Sequence, residues 1–151
     1  RDVLGSRGLG DVYKRQTSYD QQGPKKSLLF ITQLVYILHG LSIVIGLMTG
    51  ATIISAFLFG WPSIAAVILN YIMAPDARGT FLQSHFSWQI RTFWYGMVWT
   101  ILVAIIGIVL TPLVIGPFIW LGGFIVLGIW VAYRIAIGWI RLRQYRPIYN
   151  D

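Results

Sequence analysis

Residues 92–131 read TFWYGMVWTILVAIIGIVLTPLVIGPFIWLGGFIVLGIWV, forty residues without a charged side chain, and this stretch decides the fold. A bilayer core is about 30 Å thick and a helix rises about 1.5 Å per residue, so about 20 apolar residues span it. Thr111 and Pro112 divide the stretch into two runs of about that length, Thr92–Leu110 and Leu113–Val131. Two membrane helices joined by a short turn are therefore predicted.

Two further apolar runs, Leu28–Leu47 and Ile53–Ile72, precede this stretch. All four runs are continuous rather than alternating, which favours helices over the strands of a membrane barrel. Of the 151 residues, 56% are hydrophobic and 11% are charged, too few charges to cover four apolar helices in water. The predicted fold class is all-α, an integral membrane four-helix bundle.

Basic side chains flank these runs on alternate connections. They are Lys25, Lys26, Arg78, Arg91, Arg134, Arg141, Arg143 and Arg146. The other two connections, Met48–Thr52 and Thr111–Pro112, carry no charge. Because Lys and Arg stay on the cytoplasmic side during insertion, the pattern predicts a multi-pass protein with both termini in the cytoplasm.

The inventory of charged residues limits the chemistry. The net charge of +7 lies beside the runs, so the predicted partners are the lipid bilayer and its anionic phospholipid headgroups, and not nucleic acid. The chain has no cysteine and no glutamate, and its five aspartates lie outside the runs, which excludes a thiolate or a paired-carboxylate site in the membrane. The two histidines lie at different depths, which argues against a shared haem. No catalytic, cofactor-binding or metal-binding residue is predicted.

Composition divides the chain into four segments. Residues 1–16, RDVLGSRGLGDVYKRQ, show no helical or strand period and resemble a translated sequencing adapter, so they are treated as non-native. Residues 17–27 are predicted to be a flexible cytoplasmic tail. Residues 28–140 form the predicted four-span membrane domain with a cytoplasmic loop at 74–91, and residues 141–151 a basic cytoplasmic tail.

Local signals refine these helices. Pro62 lies near the middle of the second run, where a proline removes a backbone hydrogen bond and kinks a helix. Thr80 and Gln83 fit a capping box, which predicts an interfacial helix that leads into the third span. Pro112 is suited to the first turn of the fourth span.

Polar and small side chains form two stripes at helical spacing, one on the first run and one leading into the third. The first stripe comprises Thr32, Tyr36, His39, Gly46 and Gly50. The second comprises His85, Gln89, Thr92 and Gly96. We interpret the first stripe as a packing face, with His39 bonded to a neighbouring helix, and His85 of the second stripe as a polar contact at the level of the headgroups. The polar members of the first stripe are also a candidate intramembrane polar path.

Charged and polar residues from three segments are expected to meet on the cytoplasmic side. This candidate interaction patch comprises Asp76, Arg78, His85, Gln89, Arg91, Arg134, Arg141, Arg143 and Arg146. The pattern predicts a non-enzymatic protein that acts through protein partners or lipids at this basic, aromatic-rimmed face. The alternative is one subunit of an oligomeric channel that translocates small solutes, ions or proteins, with His39 on its path.

Four segments of the chain resemble a known family. They are LHGLSIVIGLMTGATI (38–53), FLFGWPSIAAVILNY (57–71), DARGTFLQSHFSWQIRTFWY (76–95) and YRIAIGWIRLRQYRPIY (133–149). The family is a group of small proteobacterial inner-membrane proteins of unknown function, distantly grouped with Tic-type chloroplast import proteins. The resemblance implies a bacterial inner-membrane location and a shared architecture. It implies no catalytic residues.

Overall fold

The computed structural model describes residues 24–48 and 53–149, and these residues form helices and turns without a strand. The α-helices, numbered α1 to α5, are Lys26–Met48, Ile53–Phe59, Trp61–Met73, Leu82–Leu110 and Gly116–Arg143. The 3-10 turns Ala74–Ala77 and Thr111–Leu113 precede the last two helices by a few residues. The predictions for residues 1–16, for most of the 17–27 tail and for Gly50 lie outside the described residues.

Three of these helices, α1, α4 and α5, are long and apolar enough to cross a membrane. If the bent pair α2 and α3 crosses the membrane as one broken span, the described residues contain the predicted four spans. If it does not, they contain three. The outer faces of α4 and α5 expose large apolar side chains, as expected of a surface covered by hydrocarbon. Among these side chains are Ile101, Ile105, Ile108, Leu121, Ile125 and Ile129.

The predicted kink in the second run is present. Helices α2 and α3 meet at Gly60 with a bend of 49°. The Gly60 N–H still donates to the Ala56 carbonyl at 2.9 Å, and a Cβ at Gly60 would collide with that oxygen. Pro62 lies in the first turn of α3. Backbone N–H groups in a first turn have no partner within the helix, so the N–H that proline lacks costs no hydrogen bond there.

Helices α4 and α5 form an antiparallel hairpin whose close approach depends on glycine. Trp120 Nε1 donates to the Ala104 carbonyl at 3.1 Å, and a Cβ at Gly107 would overlap the Trp120 ring. The turn differs from the prediction, because Pro112 lies in a 3-10 turn and the α-helix begins only at Gly116. Val114 reverses the chain between them with a positive φ of 64°.

The start of α4 agrees with one prediction and corrects another. Helix α4 is continuous from Leu82 to Leu110, so a helix does begin just after Thr80 and lead into the third span, and much of the predicted loop 74–91 is helical. Thr80 does not act as the N-cap, because its hydroxyl donates back to the Ala77 carbonyl at 2.8 Å. The Gln83 side chain does reach back, but Oε1 accepts from the Gly79 N–H at 3.1 Å rather than from Thr80.

The charged residues that the structure describes gather at one end of the helices. We call this the charged end, and its side chains are Lys25, Lys26, Asp76, Arg78, Arg91, Arg141, Arg143 and Arg146. The first turn of α4 contacts α1 and the chain after α5 there, through hydrogen bonds described below. The turn between α4 and α5, at the opposite end, carries no charge.

Candidate functional site

The polar stripe of α1 faces its neighbouring helices. Thr32, Tyr36 and His39 are fully buried. His39 Nδ1 lies 3.0 Å from the Ser63 hydroxyl of α3, so the predicted bond to a neighbouring helix is confirmed. The Ser63 N–H in turn donates to the Ser42 hydroxyl at 3.1 Å. These contacts join α1 to α3 just after the bend, a pairing that the sequence did not identify because Ser63 lies outside both stripes.

A bridge of three residues links α1, α4 and the chain after α5. The Tyr36 hydroxyl lies 3.0 Å from His85 Nδ1, and His85 Nε2 lies 2.9 Å from the Arg146 carbonyl oxygen. Because a carbonyl can only accept, Nε2 must carry the hydrogen. In the neutral imidazole, Nδ1 then accepts from the Tyr36 hydroxyl. We call this the Tyr36–His85–Arg146 bridge.

Arg134 joins α4 to α5 below the charged end. Its guanidinium lies 3.5 Å from the centre of the Trp88 ring and 5.0 Å from that of Trp130. Nε donates to the Thr92 hydroxyl at 2.8 Å, and Trp88 Nε1 donates to the Arg134 carbonyl at 3.0 Å. A cation over an aromatic face is stabilised by the ring quadrupole, more so when water is excluded. Arg134 is therefore a structural contact between helices.

The chain after α5 folds back onto the start of α4. Tyr145 has a positive φ of 54°, which reverses the backbone. The Ile148 N–H then donates to the Ser84 hydroxyl at 3.0 Å. Arg141 Nη1 donates to the carbonyls of Pro147 at 3.2 Å and Ile148 at 3.3 Å. Residues 144–149 of the predicted basic tail are thus docked against the helices.

The predicted interaction patch divides between surface and interior. Its exposed members are Asp76, Arg78, Arg91, Arg141, Arg143 and Arg146. His85 and Gln89 are fully buried and Arg134 is half-buried, so the prediction that these three belong to a surface patch is wrong. The physical reason is that α4 is already a regular helix at Leu82, so His85 and Gln89 lie on the same inward face as Thr92 and Gly96.

Three cavities lie at or near the charged end. A polar groove of about 850 Å³ separates the first turns of α4 from the docked tail, and Ser84, Ser87, Arg91 and Tyr149 line it. A smaller basic cavity surrounds the end of α5, and an apolar groove runs between α1 and α5. The polar groove presents hydroxyl groups and one guanidinium, which are donors suited to an anionic group.

Several buried polar atoms have no protein partner among the described residues. They are His39 Nε2, both amide atoms of Asn70 and of Gln89, Thr100 Oγ1 and Arg134 Nη2. Such groups are costly in an apolar interior unless they are hydrogen-bonded. Asn70 is one of these groups, and it is completely buried in α3.

The described residues hold no cluster of three or more His, Cys, Asp or Glu side chains with the geometry of a metal site. The charged end instead combines cations and hydroxyl groups, which are donors able to form hydrogen bonds with anionic groups. Comparisons with protein-family models, curated proteins and solved structures find no match for this chain. The family resemblance of the four segments stays a prediction.

Proposed function

We propose that this chain is a four-span protein of the bacterial inner membrane, with both termini in the cytoplasm, and that its charged end binds anionic phospholipid headgroups. In this proposal the protein is not an enzyme and acts through what it binds at this face. The single observation that carries the proposal is the unequal charge of this end. The charged end carries seven basic side chains and one carboxylate, Asp76.

The exposure of the cations supports a lipid partner. Arg78, Arg91, Arg141, Arg143 and Arg146 are all exposed and lie on segments next to spanning helices. A juxtamembrane Lys or Arg contributes about 1 kcal/mol of attraction to an anionic membrane surface. An acidic surface on a membrane-protein partner would satisfy the same side chains, and the following experiment separates the two.

The experiment compares lipid contacts of the wild-type chain and of the double variant Arg78→Gln with Arg91→Gln in vesicles. A photo-crosslinking phosphatidylglycerol should label the wild type more strongly than the phosphatidylcholine analogue, and the variant should lose most of the difference. Thr111→Gln with Leu113→Gln, exposed at the opposite end, is the matched control. Equal labelling of the wild type and the double variant would refute the proposal. Cross-links that depend on these two arginines but form only with a protein, and not with lipid, would also refute it.

A second candidate function is the oligomeric translocation subunit. The buried polar atoms of His39, Asn70 and Gln89 favour it, because a path for a polar solute needs polar groups away from the membrane surface. Ion and solute flux into vesicles that contain a verified oligomer tests it. If the subunit hypothesis is correct, the wild-type oligomer conducts ions or solutes and the His39→Ala variant conducts them more slowly. Absent flux in wild type would refute it.

A further inference from the structure

An apolar groove of about 500 Å³ runs between α1 and α5, a volume in the range of ordinary ligand sites. Tyr36 and Ile43 line it from α1, and Ile135 and Ile140 from α5. The groove exists because the residues between these larger side chains are small. They are Gly40 on α1, and Ala132 and Ala136 on α5.

A basic cavity of about 390 Å³ adjoins this groove on the side of the charged end. Arg141, Gln144 and Arg146 line the cavity, and Ile140 lines both it and the groove. From Ala132 to Ile140 the helix rises about 12 Å at 1.5 Å per residue. The apolar groove therefore follows α5 for about that length, and the two arginines line the cavity beside its Ile140 end.

We propose that the groove and the cavity together hold one anionic phospholipid, with an acyl chain between α1 and α5 and its phosphate on Arg141 and Arg146. This inference rests on the proposed function and narrows it to one site on the charged end. The distribution of charge identifies the occupant. An acyl chain matches the apolar groove, and a phosphate matches the two cations at the end that carries the other exposed bases.

Arg141 is held in position for this contact. Its Nη1 group is bonded to the carbonyls of Pro147 and Ile148, which anchors one side of the guanidinium. Arginine has five N–H donors in a planar fork, so Nε and Nη2 remain for the phosphate oxygens. A fork that is already fixed loses less conformational entropy when it binds a phosphate.

The Tyr36–His85–Arg146 bridge ties the two parts of the site together. Tyr36 lines the apolar groove, and Arg146 lines the basic cavity. His85 bonds the hydroxyl of the first and the carbonyl of the second. Tyr36 and His85 therefore fix the backbone that carries Arg146 relative to the side of α1 that lines the groove.

The test is native mass spectrometry of the full chain in detergent, titrated separately with phosphatidylglycerol, phosphatidylcholine and glycerol phosphate. We expect phosphatidylglycerol to bind the wild type at least about tenfold more tightly than either other probe. Arg141→Gln with Arg146→Gln should weaken it at least about tenfold, the scale of one charge-assisted hydrogen bond. Gly40→Leu should weaken it similarly by filling the groove while leaving both cations in place.

Two matched controls separate this site from general attraction to anionic lipid. Arg143→Gln removes an exposed cation of α5 that does not line the cavity, and Gly122→Leu adds the same side chain where a Cβ meets open space. Arg143→Gln should weaken phosphatidylglycerol binding by no more than about fivefold, the roughly 1 kcal/mol of one juxtamembrane cation, and Gly122→Leu should bind within about twofold of wild type. Monodispersity and helical circular dichroism of every variant verify folding.

The outcomes distinguish the failure of this site from the failure of the proposed function. Equal weakening by Arg143→Gln, Arg78→Gln and the Arg141/Arg146 pair would refute the site while leaving the charged end as a lipid-binding face. Glycerol phosphate binding as tightly as the lipid would refute the acyl-chain contact. Equal affinity for phosphatidylglycerol and phosphatidylcholine in wild type would overturn both the site and the proposed function.

Discussion

Replacing Gly138 with alanine places a methyl group against the Tyr36–His85–Arg146 bridge. A Cβ at Gly138 would collide with the hydroxyl oxygen and ring carbons of Tyr36. Tyr36 cannot retreat without cost, because it is fully buried, bonded to His85 at 3.0 Å and in edge contact with the Trp139 ring. Either α5 moves away from α1, or the Tyr36 hydroxyl leaves His85.

The expected size of the effect follows from three contributions. Overpacking a filled interior costs about 1–3 kcal/mol. A broken hydrogen bond that leaves a buried group unsatisfied costs about 1–3 kcal/mol. Alanine in place of glycine in a helix recovers about 1 kcal/mol. The first two costs belong to alternative responses, so only one of them applies, and the helix gain offsets part of it. We therefore expect Gly138→Ala to lower the free energy of unfolding by up to about 2 kcal/mol.

The assay is reversible unfolding in mixed micelles, followed by circular dichroism, with Gly122→Ala as the matched control. A Cβ at Gly122, on the same helix, meets no atom within 4 Å, so this variant should be neutral or more stable by up to about 1 kcal/mol. Tyr36→Phe in the Gly138→Ala background removes the colliding oxygen and should restore part of the loss. If the free energies of unfolding of Gly138→Ala and Gly122→Ala are equal, the close contact of α1 with α5 at this position is refuted.

Three further predictions use other contacts. Gly107→Ala should destabilise the α4–α5 hairpin by about 1–3 kcal/mol, since its Cβ overlaps an indole ring, and the unfolding assay measures it. Thr92→Val removes the acceptor of Arg134 Nε and should cost about 1–3 kcal/mol, with Thr92→Ser retaining most of the stability. Ser84→Ala removes the acceptor of the Ile148 N–H, so hydrogen exchange of that amide should accelerate while amides within α4 stay protected.

Each of these predictions has an outcome that contradicts it. An unchanged unfolding free energy for Gly107→Ala would mean that the two helices are not in contact at that depth. Equal stability of the valine and serine variants at Thr92 would show that the Arg134 contact contributes nothing. Unchanged exchange at Ile148 in Ser84→Ala would show that the tail is not held by this hydroxyl.

Much of the helical structure was predictable from local sequence. The run Thr92–Leu110 ends where α4 ends, and Pro62 correctly marked the bend next to Gly60. Both signals act within a few residues, because a helix satisfies its backbone groups locally and a proline disrupts only its own turn. The start of α4 at Leu82 lies close to the predicted start just after Thr80, and polar residues such as Gln89 extend the helix beyond its apolar run.

The candidate site was only partly predictable. The spacing of His85 and Gln89 correctly placed them on one face with Thr92, yet the same residues were also assigned to a surface patch. The choice between these interpretations depends on whether that face of α4 turns toward its neighbours, and it does, since His85 and Gln89 are buried and Tyr36 of α1 bonds His85. The partner of His85, the Arg146 carbonyl, is a backbone atom 61 residues away and leaves no mark in the sequence.

The sequence by itself determined the length of the helices, their apolar surfaces and the gathering of cations on alternate connections. These properties follow from the thickness of a bilayer and the cost of charge within it, which act on each segment alone. Only the tertiary structure decided that Arg134 packs on Trp88, that the tail returns to Ser84, and that an apolar groove lies beside Gly40 between α1 and α5. Such features depend on how each helix is rotated against its neighbours, and that rotation is set by contacts between side chains far apart in the chain.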